Sequence, residues 1–343
     1  MRKTINKTLR ILFFLSVGIF SIWWFLEKLE PEEKTEIWEL FKRAEYIWLL
    51  LAMLTGLIAC YLRALRWNLL IQPLKVKPKP LHTFIAVAIG YLGNFIIPRF
   101  GELARCAVLK KLSGASFSSL FGTVIAERII DMLVYILLFF IGLFFFFKQI
   151  VNQPDGLFSN FSVDFFVNII IAMIFLLIVF FIIAYILYRK RGKFKKINII
   201  NKLIILLSSF KDGLLTIFKI EKASIFIIYT VVIWICYFFM TYICFFSLIE
   251  TSHLGLNAGF AIIAFSTLTI LIIPGGIGVF PLSVAIILKL FDISETHGYA
   301  MGWLIWSPQT ITLLLMGIYA FGYLLFKKGI TYNDFKKYSQ EDN

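Results

Sequence analysis

Long apolar runs separated by short charged segments dominate the pattern of the chain. A helical span across a bilayer core needs about 20 apolar residues. Runs that reach or approach this length predict six full transmembrane helices, at 9–26, 46–62, 117–147, 164–188, 223–248 and 299–326. The first run ends without a small-residue cleavage site and is therefore predicted to be an uncleaved span. The pattern predicts an all-α polytopic membrane protein.

Two further apolar runs, 82–112 and 257–291, are each interrupted by proline and glycine. Both first arms end in Ile-Ile-Pro, and the predicted helix breaks are Pro98, Gly101 and Pro274. Backbone without helical hydrogen bonds is tolerated at membrane depth only where protein or water satisfies it. We therefore predict two re-entrant helical hairpins that enter from opposite sides. An ordinary span with a proline kink is the alternative for each.

The order of these elements predicts an inverted repeat within a single membrane domain, 1–343. The first repeat covers 9–147 and the second covers 164–326, each read as span, span, hairpin, span. An amphipathic helix at 201–222 is predicted to lie on the membrane surface within the second repeat. Paired glycine- and proline-interrupted segments at matching positions are typical of a transporter with its substrate site near the bilayer midplane.

Composition and charge support a membrane protein and give its orientation. The chain is 60% hydrophobic, only 16% charged, and carries a net charge of +14. Its mean hydropathy of +0.87 argues against a soluble enzyme. The basic residues cluster at the ends of apolar runs, which is a topology signal and not the pattern of a nucleic-acid-binding face. We predict a bacterial-type inner (plasma) membrane protein with both termini in the cytoplasm and with anionic inner-leaflet lipids as partners.

Six charged residues fall in or near the predicted bilayer, where each is costly. They are Arg99, Glu102, Arg105, Glu127, Arg128 and Asp131, three cations and three anions. The spacing predicts that Arg128 pairs with Asp131. Arg63 and Arg66, at a predicted span end, are interpreted as snorkelling anchors.

These charges have two compatible interpretations. In the first, a polar cavity binds an anionic headgroup through side chains and through the helix N-terminus after the second break; its predicted residues are Arg99, Arg105, Arg128, Gly275, Gly276 and Gly278. The carboxylates Glu102, Glu127 and Asp131 would form a polar network or couple protons. In the second, cations and anions only neutralise one another and lock the hairpin to the next span.

Motifs for enzymatic chemistry are not found. Walker, Gly-x-Ser-x-Gly and His-Glu-x-x-His strings are missing, and the cysteines and histidines lack metal-ligand spacing. We expect no enzyme activity, cofactor or metal. An intramembrane lipid-modifying enzyme that uses Glu127 or Asp131, and a non-catalytic envelope-assembly scaffold, are the alternatives. Two Gly-x-x-x-Gly pairs, at 255–259 and 298–302, are typical of closely packed membrane helices and are compatible with a homo-oligomer.

Several strings resemble the lysylphosphatidylglycerol synthase transmembrane-region family. They are Ala64-Leu65-Arg66-Trp67, Gly93-Asn94, Pro98-Arg99-Phe100-Gly101-Glu102 with Arg105 and Leu109 after it, Glu127-Arg128-Ile129-Ile130-Asp131, and 274–280 (PGGIGVF). The resemblance implies a flippase-like domain that moves a polar-headed lipid, anionic or phosphate-containing, between leaflets. It does not imply synthesis, because the aminoacyl-transferase domain is not found in these residues. Pro281 stands where such proteins often carry an acidic residue.

Overall fold

A computed structural model describes residues 16–97, 99–151 and 222–326, together with residues 168 and 220. In these residues the chain is helical and forms no strand. The helices are α1 (16–28), α2 (Pro31–Arg43), α3 (Tyr46–Ile71), α4 (Pro80–Ile96), α5 (Phe100–Ser113), α6 (Phe117–Val151), α7 (Ala223–Tyr242), α8 (Leu256–Ile272), α9 (Val279–Lys289) and α10 (Glu295–Phe326). The predicted span 164–188, nearly all of the predicted surface helix 201–222, the start of the first span and Pro98 lie outside the described residues.

Four of the predicted spans are helices that are long and apolar enough to cross a membrane. They are Tyr46–Leu74, Phe117–Phe147, Ala223–Ser247 and Glu295–Phe326. The interrupted runs form shorter apolar helices instead. The prediction of an all-helical membrane protein is therefore confirmed.

The helix α3 is longer than the sequence predicts. The predicted span ends at residue 62, yet the helix continues to Ile71 and then into a short 3-10 turn. Arg63 and Arg66 do not end the helix, because their guanidinium groups find partners inside the protein. Arg63 and Arg66, the charges at which the sequence predicts the end of the span, therefore lie inside the helix α3.

The acidic segment between the first two spans forms the amphipathic helix α2. Glu30 and Glu33 form a capping box at its N-terminus, and Pro31 occupies its first position. Ile37 and Leu40 are buried, whereas Trp38 is exposed. The helix therefore packs one face on the bundle.

The helices α4 and α5 form a closely packed pair. Ile97 is extended after α4, Arg99 has a φ of 62°, and α5 begins at Phe100. A methyl group added at Gly90 would lie 3.1 Å from the carbonyl oxygen of Gly101, and one added at Gly93 would lie 3.1 Å from Cα of Gly101. The prediction of Gly101 as a helix break is wrong: it lies in the first turn of α5 and lets the two helices approach.

The helices α8 and α9 form the second interrupted pair. Ile273 is extended at the end of α8, and a 3-10 turn follows over Pro274–Gly276. Gly275, Gly276 and Gly278 all have positive φ, between 65° and 72°, which residues with a Cβ rarely adopt. Trp306 on α10 donates from Nε1 to the carbonyl oxygen of Gly275 at 2.6 Å.

The first arms of the two pairs end in the same way. Each arm is 17 residues long, and each is followed by an extended isoleucine. The N–H of Ile97 is bonded to the carbonyl of Gly93, and the N–H of Ile273 to that of Thr269. The two Ile-Ile-Pro strings thus give matching local structures.

Two apolar cores lie side by side in the described part of the bundle. Leu49 of α3 and Leu304 of α10 belong to one core. Trp67 of α3 and Met316 of α10 belong to the other, which also contains residues of α4, α5 and α6. The charged site described below borders this second core.

Candidate functional site

A network of buried ion pairs joins α3, α5 and α6. Glu127 is its hub: Oε1 accepts from Nε of Arg63 at 2.6 Å and from Nη2 of Arg66 at 3.1 Å, and Oε2 accepts from Nη2 of Arg105 at 2.6 Å. Asp131, one turn later, accepts from Nη2 of Arg63 at 2.6 Å and pairs with Nη2 of Arg66 at 2.7 Å. Two carboxylates are therefore shared among three guanidinium groups.

The network is almost completely shielded. Arg66 and Glu127 are 0% exposed, and Arg105 and Arg63 are 3% and 5% exposed. Glu127 lies ten residues after the start of α6, which is about 15 Å at 1.5 Å per residue. The ion pairs bring the guanidinium groups of Arg63, Arg66 and Arg105 to this level of α6.

The guanidinium group of Arg105 also packs on an aromatic ring. It lies 4.4 Å from the centroid of the Trp67 ring. Trp67 donates from Nε1 to Oγ1 of Thr123 at 2.9 Å, which holds the ring in place. A cation over the face of an indole ring is stabilised by the ring's quadrupole. Arg105 is thus held by a carboxylate and an aromatic face.

Arg128 has a different partner from the one that the spacing predicts. Its Nη2 pairs with Oε1 of Glu102 at 2.9 Å, while Asp131 is bonded to Arg63 and Arg66. The prediction of an Arg128–Asp131 pair is therefore wrong. The reason is that Arg63 and Arg66 reach Asp131 from α3, and α5 presents Glu102 on the other side of Arg128.

Asn94 connects this second pair to α4. Its Nδ2 donates to Oε1 of Glu102 at 3.3 Å, and its Oδ1 accepts from the backbone N–H of Gly101 at 2.8 Å. One of the N–H groups left without a helical partner at the start of α5 is thereby satisfied.

Two tyrosines extend the network to α4 and α7. The hydroxyls of Tyr91 and Tyr237 lie 2.8 Å apart, and Nη1 of Arg63 donates to them at 3.0 Å and 3.3 Å. On the same helix α7, Thr230 accepts from Nη1 of Arg66 at 3.2 Å. The helices α4 and α7 belong to different predicted repeats, so the network bridges them.

Arg63 and Arg66 correct the predicted charge balance. They are not snorkelling anchors, because both side chains are buried and bonded to carboxylates. Added to Arg105, they leave the network with one more positive than negative charge. The pair of Arg128 and Glu102 is neutral and does not change this excess. The expectation of an electrically neutral set is therefore wrong.

A small crevice with an open mouth borders the network, and its enclosed part has room for about one water molecule. It is lined by Arg63, Val87, Gly90, Tyr91, Asn94, Gly101, Arg105 and Arg128. The Nε atoms of Arg105 and Arg128 are buried and lack a hydrogen-bond partner, and so does Oε2 of Glu102. Buried polar groups are rarely left without partners unless a ligand or water satisfies them.

The other predicted site residues lie apart from the crevice lining. Arg99 is exposed at the turn between α4 and α5. A methyl group added at Gly275 would meet the ring of Phe95 on α4 at 2.7 Å, so the second break touches the end of the first arm. Gly276 packs against Ile270 and Phe280, and Gly278 packs against α1. The structure therefore brings Arg105 and Arg128 to the crevice, with Glu102, Glu127 and Asp131 behind them.

Sequence reasoning missed six polar contributors: Arg63, Arg66, Tyr91, Asn94, Thr230 and Tyr237. Arg63 and Arg66 are three residues apart, which puts both on one face of a helix. Tyr91 and Asn94 have the same spacing in the apolar helix α4. Such polar pairs in apolar helices are the signal that could have located them. Among the described residues no group of histidines, cysteines or carboxylates could hold a metal ion.

Comparison with known proteins assigns the chain to a family. The lysylphosphatidylglycerol synthase TM region family matches residues 9–317, most of the chain. The chain belongs to this family. It is 30% identical over 132 residues to a UPF0104 membrane protein of Pyrococcus horikoshii, covering 37% of each chain. It is 31% identical over 106 residues to a UPF0104 membrane protein of Methanothermobacter thermautotrophicus, covering 30% of this chain and 31% of the relative.

These matches to the two UPF0104 proteins cover well under two thirds of their lengths, and their names state only that they are membrane proteins. No solved structure gives a significant match to the chain. The match to the lysylphosphatidylglycerol synthase TM region family agrees with the apolar helices in indicating an integral membrane protein.

Proposed function

We propose that this member of the lysylphosphatidylglycerol synthase TM region family is a flippase-like transporter that moves a polar-headed lipid between membrane leaflets. The observation that carries the proposal is the crevice beside the buried arginine network. Two arginines that line it, Arg105 and Arg128, each have a buried Nε without a partner within a bundle of apolar helices. Ionisable groups at membrane depth are expensive and typically mark a substrate pathway.

The proposed architecture has six full spans and two opposed re-entrant hairpins. The matching ends of α4 and α8 support it, because two 17-residue arms with the same extended isoleucine cap occur at corresponding places in the order of helices. In this arrangement both termini are cytoplasmic in an inner (plasma) membrane, and anionic inner-leaflet lipids face the basic segments.

The headgroup would enter where the two interrupted pairs meet. Phe95 of the first arm touches Gly275 of the second break, and Asn94, next to Phe95, lines the crevice. The polar head would bind there while the hydrocarbon tails stay in the bilayer. Rocking of the two repeats about this contact would then expose the head to the other leaflet. Since no ATP-binding motif is present in the sequence, transport would be downhill or coupled to an ion gradient.

The arrangement of the carboxylates favours transport over intramembrane catalysis. Both oxygens of Glu127 accept hydrogen bonds from arginines, and both oxygens of Asp131 are paired with arginines. Neither carboxylate is free to act as a general base on a substrate in the crevice. Their arrangement suits a role in holding the arginines in position.

Transport can be tested with the full chain in sealed proteoliposomes that contain a headgroup-labelled lipid. Wild-type protein should make label in the inner leaflet accessible to an external quencher faster than protein-free vesicles do. Arg105→Gln should slow this at least severalfold, whereas Lys42→Gln, an equal charge change on the exposed face of α2, should not. If the lipid is chemically altered, the alternative of an intramembrane lipid-modifying enzyme is favoured. If the lipid is neither altered nor moved, the alternative of a non-catalytic envelope-assembly scaffold is favoured.

A further inference from the structure

We infer that the crevice selects a headgroup with one net negative charge over a zwitterionic head and over a cationic, lysyl-bearing one. This inference rests on the proposed lipid-binding role of the site, and it deepens that role by naming the charge of the substrate. It is carried by the charge balance of the network and by the unpartnered donors of two arginines that line the crevice.

Among the residues that the structure describes, the buried network holds one more positive charge than its carboxylates neutralise. Three arginines share two carboxylates, and the exposed fraction of Glu127 and of Arg66 is zero. An excess charge shielded from water is costly unless a ligand neutralises it. One negative charge in the crevice brings the sum to zero, whereas a doubly charged head reverses its sign and a cationic head doubles the excess.

The free hydrogen-bonding atoms on the arginines are donors. Nε of Arg105 and Nε of Arg128 are buried without partners, and both residues line the crevice. Nε of Arg66 is also buried without a partner, but among these three arginines only Arg105 and Arg128 belong to the crevice lining. A phosphate or carboxylate oxygen is the acceptor that a guanidinium group binds best.

An ammonium group would find few acceptors here. Oδ1 of Asn94 is already bonded to the N–H of Gly101, and the oxygens of Glu127 and Asp131 are bonded to arginines. Oε2 of Glu102 is the remaining carboxylate oxygen in this described group without a partner. Glu102 is not among the residues that line the crevice, so this oxygen does not supply an acceptor there either.

The first test measures binding to the full-length protein in a neutral detergent. The probes are short-chain phosphatidylglycerol, phosphatidylcholine and lysylphosphatidylglycerol, with inorganic phosphate as the free anion. Phosphatidylglycerol should bind about tenfold or more tightly than phosphatidylcholine, from which it differs by one charge, and more tightly still than the lysyl lipid, from which it differs by two. Equal or tighter binding of the lysyl lipid overturns the inference. If inorganic phosphate binds as tightly as phosphatidylglycerol, the site is one for a free anion and the inference also fails.

The second test changes the charge of the network in both directions. Arg66 does not line the crevice, so Arg66→Gln removes the excess charge without removing a contact; it should weaken phosphatidylglycerol binding about tenfold. Asp131→Asn should strengthen it by a similar factor, a gain that damaged folding would not give. Lys42→Gln should leave the affinity unchanged. Weaker binding in Asp131→Asn despite an intact melting transition contradicts the inference.

These outcomes are separable from a failure of transport. Selective binding of phosphatidylglycerol without movement across the bilayer would overturn the proposed transport and leave the charge selection standing. Transport that is fastest for the lysyl lipid would overturn the charge selection and leave transport standing.

Discussion

Arg105 donates from Nη2 to Oε2 of Glu127 at 2.6 Å, and this bond ties the helix α5 to the helix α6. The same Glu127 accepts from Arg63 and Arg66 on α3 through its other oxygen. One carboxylate thus joins three helices, and its removal should affect the fold more than the loss of a single contact would.

Glu127→Gln should lower the free energy of unfolding by about 3–5 kcal/mol, because it leaves buried arginines without compensation. Glu102→Gln is the matched control, since the Glu102 side chain is 20% exposed and has one arginine partner. Thermal unfolding in detergent measures both. Equal losses in the two variants would show that Glu127 is not the hub.

Gly101→Ala should destabilise the protein by about 1–3 kcal/mol, because its methyl group would collide with the backbone of α4. Gly122→Ala on α6 is the control, because a methyl group there has no neighbour within 4 Å. That variant should gain up to about 1 kcal/mol from better helix propensity. Denaturant titration compares them, and a neutral Gly101→Ala would argue against close packing of α4 on α5.

The Tyr91–Tyr237 hydrogen bond should couple the helices α4 and α7, which belong to different predicted repeats. Tyr91→Phe and Tyr237→Phe should each cost about 0.5–1.5 kcal/mol. The double variant should cost less than the sum of both, because the hydroxyls bond to each other as well as to Arg63. Strict additivity in a double-mutant cycle would contradict the contact.

Arg99→Gly should raise the free energy of unfolding by about 1 kcal/mol, because a residue with a Cβ is strained at a φ of 62°. If Arg99 also attracts the headgroup, as predicted from the sequence, lipid movement should slow in the same variant. Melting and proteoliposome transport measured together would separate the two effects. Slower transport with no gain in stability would argue against strain at this turn.

Labelling of single cysteines should test the opposed hairpins. In a background without Cys60, Cys106, Cys236 and Cys244, Lys111→Cys should react only from the cytoplasmic side and Lys289→Cys only from the outside. These residues lie at the ends of the second arms α5 and α9. Reaction of both from one side would rule out the inverted arrangement.

The helices themselves were predictable, because long apolar runs have few alternatives in a membrane protein. The two breaks were also predictable from Ile-Ile-Pro and the glycines that follow. What the sequence could not give was the pairing of charges. Arg63 and Asp131 are 68 positions apart, and their contact depends on how α3 packs against α6. Local spacing instead favoured a pair of Arg128 with Asp131. In the packed bundle Arg128 pairs with Glu102, and Asp131 pairs with arginines of α3.

The dependence of α3 on α6 also bears on how the protein is made. Arg63 precedes Glu127 by 64 residues, so α3 is synthesised well before its neutralising carboxylate. Each arginine in a lone helix near the bilayer centre costs about 2.5–3.5 kcal/mol on insertion. Insertion of α3 would therefore carry this cost until α6 emerges and its carboxylates neutralise the arginines.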